Sequence, residues 1–420
     1  MTDAQTLPGA AQAAPEPPRP SKWRAAMTEI VNGNVLVSVL AVVAAIIVGS
    51  LMIAFTDPEV QAAMTYFFAQ PGDTFAAIGS AVGGAYAALF RGSIYNVNAD
   101  SFAIGIRPLT ETLKFATPLI AAGLGVGLAF RAGLFNIGGQ GQMLMAAAAA
   151  GYVATAWDLP FPLHMIVALL AGVAGGAIWA GIAGLLKART GAHEVIVTIM
   201  LNHIAFYLLA WMLATQGLLQ APGSNNPKTA PMADSAVLPQ ILGPMYKLHL
   251  GFLFALVAVA ITWWLLERSS LGFRFRAVGE NPAAARTAGI SVGRMYFTVM
   301  LIAGALVGLA GVSQVLGTEP KGFSGGIDAG IGFDAITVAL LGRSRPLGIL
   351  WAGLLFGAFK TGGFTMQASQ GVPIEIVLVV QSLIVLFIAA PPLVRAMFGL
   401  PQPGRASRRQ RRAAKKEVAA

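Results

Sequence analysis

LHLGFLFALVAVAITWWLL (Leu248 to Leu266) is followed by GFRFRAVGENPAAARTAGI (Gly272 to Ile290) and then by RMYFTVMLIAGALVGLAGVSQVL (Arg294 to Leu316). Two apolar runs thus flank a polar island. Each run approaches the roughly 20 residues a helix needs to cross a bilayer. Hydrocarbon offers no water to unpaired peptide groups, so such runs cross as helices. The island, with Arg274, Arg276, Glu280 and Arg286, is not something a membrane fold requires for its own stability.

The rest of the chain repeats the apolar pattern. Of 420 residues, 56% are hydrophobic and 11% charged, with a mean hydropathy of +0.69. That composition excludes a soluble globular domain of this length and predicts an all-α polytopic integral membrane protein. About ten segments read as transmembrane helices: 35–55, 110–130, 134–156, 164–186, 194–216, 248–266, 294–316, 326–342, 346–366 and 374–395. The Gly- and Ala-rich stretch Phe75 to Phe90 reads as an extracytoplasmic or re-entrant helix, since one more crossing would put the island and the basic C-terminus on opposite sides. With a cytoplasmic N-terminus, most of the 28 Lys and Arg fall inside, so both termini are expected in the cytoplasm.

Three regions follow. Residues 1–34, rich in Ala and Pro, are expected to be a disordered cytoplasmic segment and not a signal peptide. Residues 35–396 form the transmembrane domain, with an extracytoplasmic loop at 217–247 and a cytoplasmic loop at 267–293. Residues 397–420 are a basic cytoplasmic tail whose RASRRQRRAAKK run (Arg405 to Lys416) suits anionic lipid headgroups, so the net charge of +10 does not imply nucleic acid. The Pro- and Asn-rich 217–247 loop reads equally as a docking surface or a connector. Zero cysteines exclude disulfides and thiolate chemistry. No metal-protease motif, serine-nucleophile motif or Walker A loop occurs, so the chain reads as neither an enzyme nor a nucleotide hydrolase.

Within the island, Asn281-Pro282 supplies an N-cap with proline at the first helical position, Ala283 to Arg286 continue a short helix, and Gly289 closes it. Such a knob suits a groove on another protein or, alternatively, a lipid surface. In Phe135 to Gln142, the amides Asn136, Gln140 and Gln142 stand among Gly138, Gly139 and Gly141. They read as lining of a translocation path or as glue between helices. Asp334 is a carboxylate inside an apolar segment, placed there to be paired or to serve transport. Asn202 and His203 allow the same two readings, and Lys360 can snorkel.

GENPAAARTAGI resembles the cytoplasmic coupling helix of ATP-binding cassette (ABC) importer permeases. AFRAGLFNIGGQGQ (Ala129 to Gln142), HEVIVTIMLN (His193 to Asn202) and GFDAITVALLGRSRPLG (Gly332 to Gly348) resemble the branched-chain amino acid/ribose type permease family, nearest its nucleoside and simple-sugar members. The resemblance implies a permease subunit in a bacterial plasma (inner) membrane. Gly279, Glu280, Asn281, Pro282, Ala284, Arg286 and Gly289 would couple to a separate ABC ATPase, which uses the ATP, while this chain binds no cofactor. Asn136, Gln140, Gln142, Asn202 and Asp334 would lie on the translocation path. A second, different permease subunit and an extracytoplasmic substrate-binding lipoprotein are the other implied partners. Gln140 departs from the family's usual Glu, removing a charge but keeping hydrogen-bonding capacity. The competing reading is an ion-gradient-driven secondary transporter, which has no soluble motor to dock on the island.

Overall fold

The computed structural model describes residues 34–399. The expectations for the N-terminal lead and for the tail beyond Gly399 lie outside the described residues. Internal contacts divide the described chain into residues 34–44 with 390–399, and residues 45–389. The smaller unit holds the start of the first helix and a short helix at Pro391–Met397. All that follows concerns the larger.

Among the described residues the regular elements are all helical. They are α1 (Asn34–Thr56), α2 (Pro58–Met64), α3 (Pro71–Ser93), α4 (Phe102–Gly105), α5 (Arg107–Arg131), α6 (Gly139–Ala156), α7 (Leu163–Thr190) and α8 (Glu194–Leu213), then α9 (Gly251–Arg268), α10 (Ser270–Glu280), α11 (Pro282–Thr287), α12 (Val292–Ser313), α13 (Ile331–Leu341), α14 (Pro346–Gln370) and α15 (Ile374–Ala389). A π-helical turn, Gln314–Thr318, continues α12.

Among the described residues, seven stretches are long and apolar enough to cross a membrane: Val39–Thr56, Phe102–Arg131, Leu163–Thr190, Glu194–Leu213, Gly251–Arg268, Val292–Thr318 and Pro346–Gln370. They correspond to seven of the expected segments. The other three differ for separate physical reasons. α6 is built largely from Ala and Gly and is buried on nearly every side, so protein and not lipid surrounds it. α13 has only 11 residues, because Gly330 at φ 77° turns the chain and delays the helix to Ile331. α15 ends at Ala389, just before Pro391-Pro392. The Phe75 to Phe90 stretch lies within α3, one uninterrupted helix of 23 residues with no turn back inside it. It packs on α14, with Gly84 against Gln370 and Gly92 against Thr365.

The core forms where glycine lets helix backbones touch. A Cβ on Gly176 of α7 would lie 2.5 Å from the Gly304 carbonyl oxygen of α12, and one on Gly304 would lie 2.4 Å from the Gly176 oxygen. A separate apolar cluster forms where α5, α6, α12, α13 and α14 bury Leu119, Ile120, Leu124, Met143, Val307, Val338 and Phe356.

The basic connections gather at one end. Arg131 at the end of α5 meets Glu267 at the end of α9 at 3.7 Å, and Arg276 of α10 meets the same carboxylate at 3.9 Å. Arg131, Glu267, Arg268 and Arg345 share a cavity of about 860 Å³ there. At the far ends of α6 and α7, residues 214–250 form a folded cap. Thr229, Met232, Ala236 and Leu238 are buried in it. Its backbone bonds the bundle: Ala233 N–H to Ala154 O at 2.9 Å, Met232 N–H to Pro320 O at 2.8 Å, and Leu238 N–H to Leu316 O at 2.8 Å.

Gly176→Ala places a methyl against the Gly304 peptide and is expected to destabilise by about 1–3 kcal/mol through overpacking. Thermal unfolding of the purified protein in detergent measures this, and an unchanged midpoint would refute the seam's tightness.

Candidate functional site

The polar island folds as an elbow of two short helices. Ser269 caps α10, its Oγ accepting from Gly272 N–H at 2.9 Å. A Cβ on Gly272 would sit 2.0 Å from the Leu265 oxygen, so glycine is what lets α10 turn tightly off the end of α9. Phe275 and Val278 point inward, joining Leu128, Ala129, Leu266 and Met300. Asn281, in an extended conformation, ends α10 and caps α11: its Oδ1 accepts from Ala283 N–H at 3.0 Å and Ala284 N–H at 3.1 Å. Pro282 takes the first helical position, where its missing N–H costs nothing. Ala285 is buried in the same apolar cluster. Gly289, at φ 79°, follows the helix end in the left-handed region.

This fold leaves Glu280, Asn281, Ala283, Ala284, Arg286 and Gly289 exposed and Pro282 half-buried. Gly279 has a different situation. A Cβ there would be 2.4 Å from the Arg131 oxygen, and one on Gly133 would be 3.2 Å from the Gly279 Cα. The elbow therefore rests by bare backbone on the turn between α5 and α6.

That turn leads directly into a knot of amides. Asn136 Oδ1 accepts from Gly138 N–H and from Gln142 Nε2, each at 3.0 Å. Asn202 of α8 reaches across, accepting from Gly141 N–H at 2.8 Å and donating to Ile137 O at 2.9 Å. Asn136, Gln142 and Asn202 are all buried. Their hydrogen-bonding groups are engaged with each other and with peptide groups freed where α6 begins. His203 sits on the exposed face of α8, away from this knot. Glu194, at the start of the same helix, pairs with Lys187 at 2.8 Å.

Gln140 faces another way, toward the loop before α13, where its side chain lies near the Asp328 carboxylate. Asp328 also accepts from Gly330 N–H at 3.3 Å. The Lys360 ammonium of α14 donates to Ala329 O at 3.2 Å and lies within electrostatic reach of both Asp328 and Asp334. Ala329 is held at φ 47°, an unusual conformation for a residue with a side chain. The half-helix meets α6 as closely as the elbow meets Arg131: a Cβ on Gly332 would be 2.4 Å from the Gln140 nitrogen.

Two cavities flank this loop. One, of about 320 Å³, is lined by Lys228, Gln314, Glu319, Phe323, Ser324 and Ala329. The other, of about 240 Å³, is lined by Asp334, Phe356, Phe359, Lys360, Phe364 and Gln381. Carboxylates, an ammonium and amides beside aromatic rings are suited to a polar, hydroxyl-bearing solute. The sequence reading singled out Asp334 and Gln140 but gave Asp328 and Lys360 no part. The available signal was the paired carboxylate spacing in GGIDAGIGFDA, whereas the Lys360 bond joins residues far apart in the chain. Under the cap, His249 is buried beside Gly251 and Gly317, with its Nδ1 accepting from Gly251 N–H at 3.2 Å.

Residues 108–389 match the family model described as branched-chain amino acid transport system / permease component. The guanosine ABC transporter permease protein NupP of Bacillus subtilis is 39% identical over 325 residues, covering 76% of this chain and 89% of that protein. The glucose ABC transporter permease protein TsgB13 of Haloferax volcanii is 37% identical, covering 67% and 75%. The nucleoside ABC transporter permease protein NupB of Lactococcus lactis is 35% identical, covering 69% and 81%. No solved structure matches.

Asn281→Ala removes both cap bonds of α11 and is expected to cost about 1 kcal/mol locally. Hydrogen exchange should quicken at the amides of 283–287 and stay unchanged in α12. Unaltered exchange at 283–287 would count against the cap.

Proposed function

Because the chain belongs to the branched-chain amino acid transport system / permease component family, we propose that it forms part of the membrane path of an ABC importer for a nucleoside or simple sugar. The observation that carries this reading is the extent of the family match. Residues 108–389 take in the elbow, the amide knot and the acid–lysine loop together.

A separate ATPase subunit supplies the energy, as no Walker A sequence occurs in the chain. It grips the exposed face formed by Glu280, Asn281, Pro282, Ala284, Arg286 and Gly289, while Gly279 sits at the joint with Gly133. Support for the grip is physical: the capped helix is rigid, small-surfaced and anchored by Phe275, Val278 and Ala285. A second, different permease completes the path. Bacillus subtilis has two guanosine permease proteins, NupP and NupQ, that both resemble this chain, at 39% and 29% identity. An extracytoplasmic binding lipoprotein delivers substrate onto the folded 217–247 cap. Ten crossings are formed by α1, α5, α6, α7, α8, α9, α12, α13, α14 and α15. α3 stays on the outer side, and both termini are cytoplasmic in a bacterial plasma membrane.

On the path, Gln140, Asp328, Asp334 and Lys360 offer the groups that bind hydroxyls. Asn136, Gln142 and Asn202 hold the wall behind them. Movement of the ATPase at the elbow then repacks the helices around this loop, opening it to alternate sides. One observation favours the second reading, a gradient-driven carrier: a carboxylate pair and a lysine at the start of a half-helix is also what ion coupling uses.

Ala284→Trp is expected to abolish uptake while leaving the protein inserted at normal levels, because the bulky ring blocks the docking face. Normal uptake would remove α11 from the coupling role. Collapsing proton and sodium gradients in vesicles at constant ATP should leave uptake intact, and its loss would favour the carrier.

A further inference from the structure

The elbow and the half-helix α13 do not follow one another in sequence, yet a single short segment touches both. At its near end the Gly133 backbone lies against Gly279, where a Cβ on Gly279 would be 2.4 Å from the Arg131 oxygen and 3.0 Å from the Gly133 nitrogen. At its far end a Cβ on Gly332 of α13 would be 2.4 Å from the Gln140 nitrogen and 2.5 Å from its Cα. A Cβ on Gly139 would lie 2.7 Å from the Gly332 oxygen. Peptide meets peptide at both joints, with no flexible side chain between to absorb a displacement.

The stretch joining them is held firmly. Leu134 N–H bonds Ala129 O at 3.0 Å. Phe135 stacks on Phe130 with centroids 4.8 Å apart and ring planes 16° from parallel. Asn136 ties Gly138 and Gln142 together, and Asn202 clamps Ile137 and Gly141 to α8. Trp179 Nε1 of α7 donates to Leu201 O at 3.3 Å, fixing the peptide beside Asn202. Close-packed, hydrogen-bonded segments transmit strain and do not dissipate it.

We propose that residues 133–142 form a strut that converts movement of the α10–α11 elbow into movement of α13, and with it of the Asp328–Asp334 loop. This rests on the coupling reading above. It gives Asn136, Gln142 and Asn202 the part of positioning residues: they keep the strut straight, and they bond neither solute nor motor. It also explains why these positions carry amides, since an apolar side chain there would leave the Gly138, Gly141 and Ile137 peptide groups unpaired. The strut requires peptide partners, since the chain leaves the helix between Arg131 and Gly139.

The cysteine-free chain allows a direct test. Phe333, half-exposed on α13, is replaced as Phe333→Cys and labelled with an environment-sensitive fluorophore in the full complex with its ATPase. ATP is expected to change the fluorescence. Asn202→Ala and Phe135→Ala should each shrink that change by about fivefold or more, a size within the range of measured couplings between sites. Complex yield and ATP hydrolysis should be retained, and Phe135→Tyr, which restores a ring for the stack, should keep the signal. Because Phe135 is partly exposed, Phe135→Ala decides the matter alone if Asn202→Ala fails to assemble. A full-sized change in the variants overturns the strut, as does a loss in Phe135→Ala that merely tracks falling complex yield. A parent complex that hydrolyses ATP without any change at Phe333→Cys overturns the strut and leaves the transport reading intact. A parent that neither binds nor stimulates an ATPase overturns the coupling reading, and the strut falls with it.

Discussion

A peptide group that leaves its helix inside hydrocarbon has no water to turn to. The remainder of this structure is arranged around that constraint. Three irregular stretches occur among the described residues of the bundle: residues 132–138, the π-helical turn at Gln314–Thr318, and the loop of 319–330. Each is provided with polar partners from its surroundings. Asn202 serves Ile137 and Gly141, Asn136 serves Gly138, Gln314 Nε2 donates to Ile327 O at 3.4 Å, and Lys360 serves Ala329. The loop of 319–330 lies beside the two small cavities, whose linings include Phe323 and Ala329.

Apolar burial cannot hold helices together in lipid as it does in water, because the tails are as apolar as leucine. Close approach replaces it. Gly176 and Gly304 allow α7 and α12 to touch, and Gly125 does the same for α5 and α12, where a Cβ would be 2.4 Å from the Ala303 oxygen. The same device at Gly133, Gly279 and Gly332 has a second effect, since surfaces joined without side chains move together. Stability and transmission of movement thus draw on one feature of the sequence.

The long spans were legible from hydropathy because length and apolarity are local properties. The cap of α11 was legible for a similar reason: Asn281 bonds peptides two and three residues ahead, within reach of a sequence rule. Where local patterns and tertiary structure parted, the cause is identifiable. Residues 326–330 are apolar enough to extend a span, but Asp328 and Gly330 make a turn, and α13 starts late. α3 has the composition of a broken segment and forms one straight helix supported by α14. The 217–247 loop reads in sequence equally as a docking surface or a connector, and neither reading reveals that Met232 and Leu238 are buried and that their backbone bonds residues more than 75 positions away. The tie between Lys360 and Ala329, or the nearness of Gln140 to Asp328, depends on how helices are placed, which no periodicity encodes.

α6 carries one more consequence. Its small residues, GQGQMLMAAAAAGYVATA, are surrounded by α7, α8, α12 and α13 and keep little surface for lipid. A helix so weakly apolar gains little by partitioning into a bilayer alone. Its place at the centre of the bundle therefore rests on the protein surfaces that α7, α8, α12 and α13 supply around it.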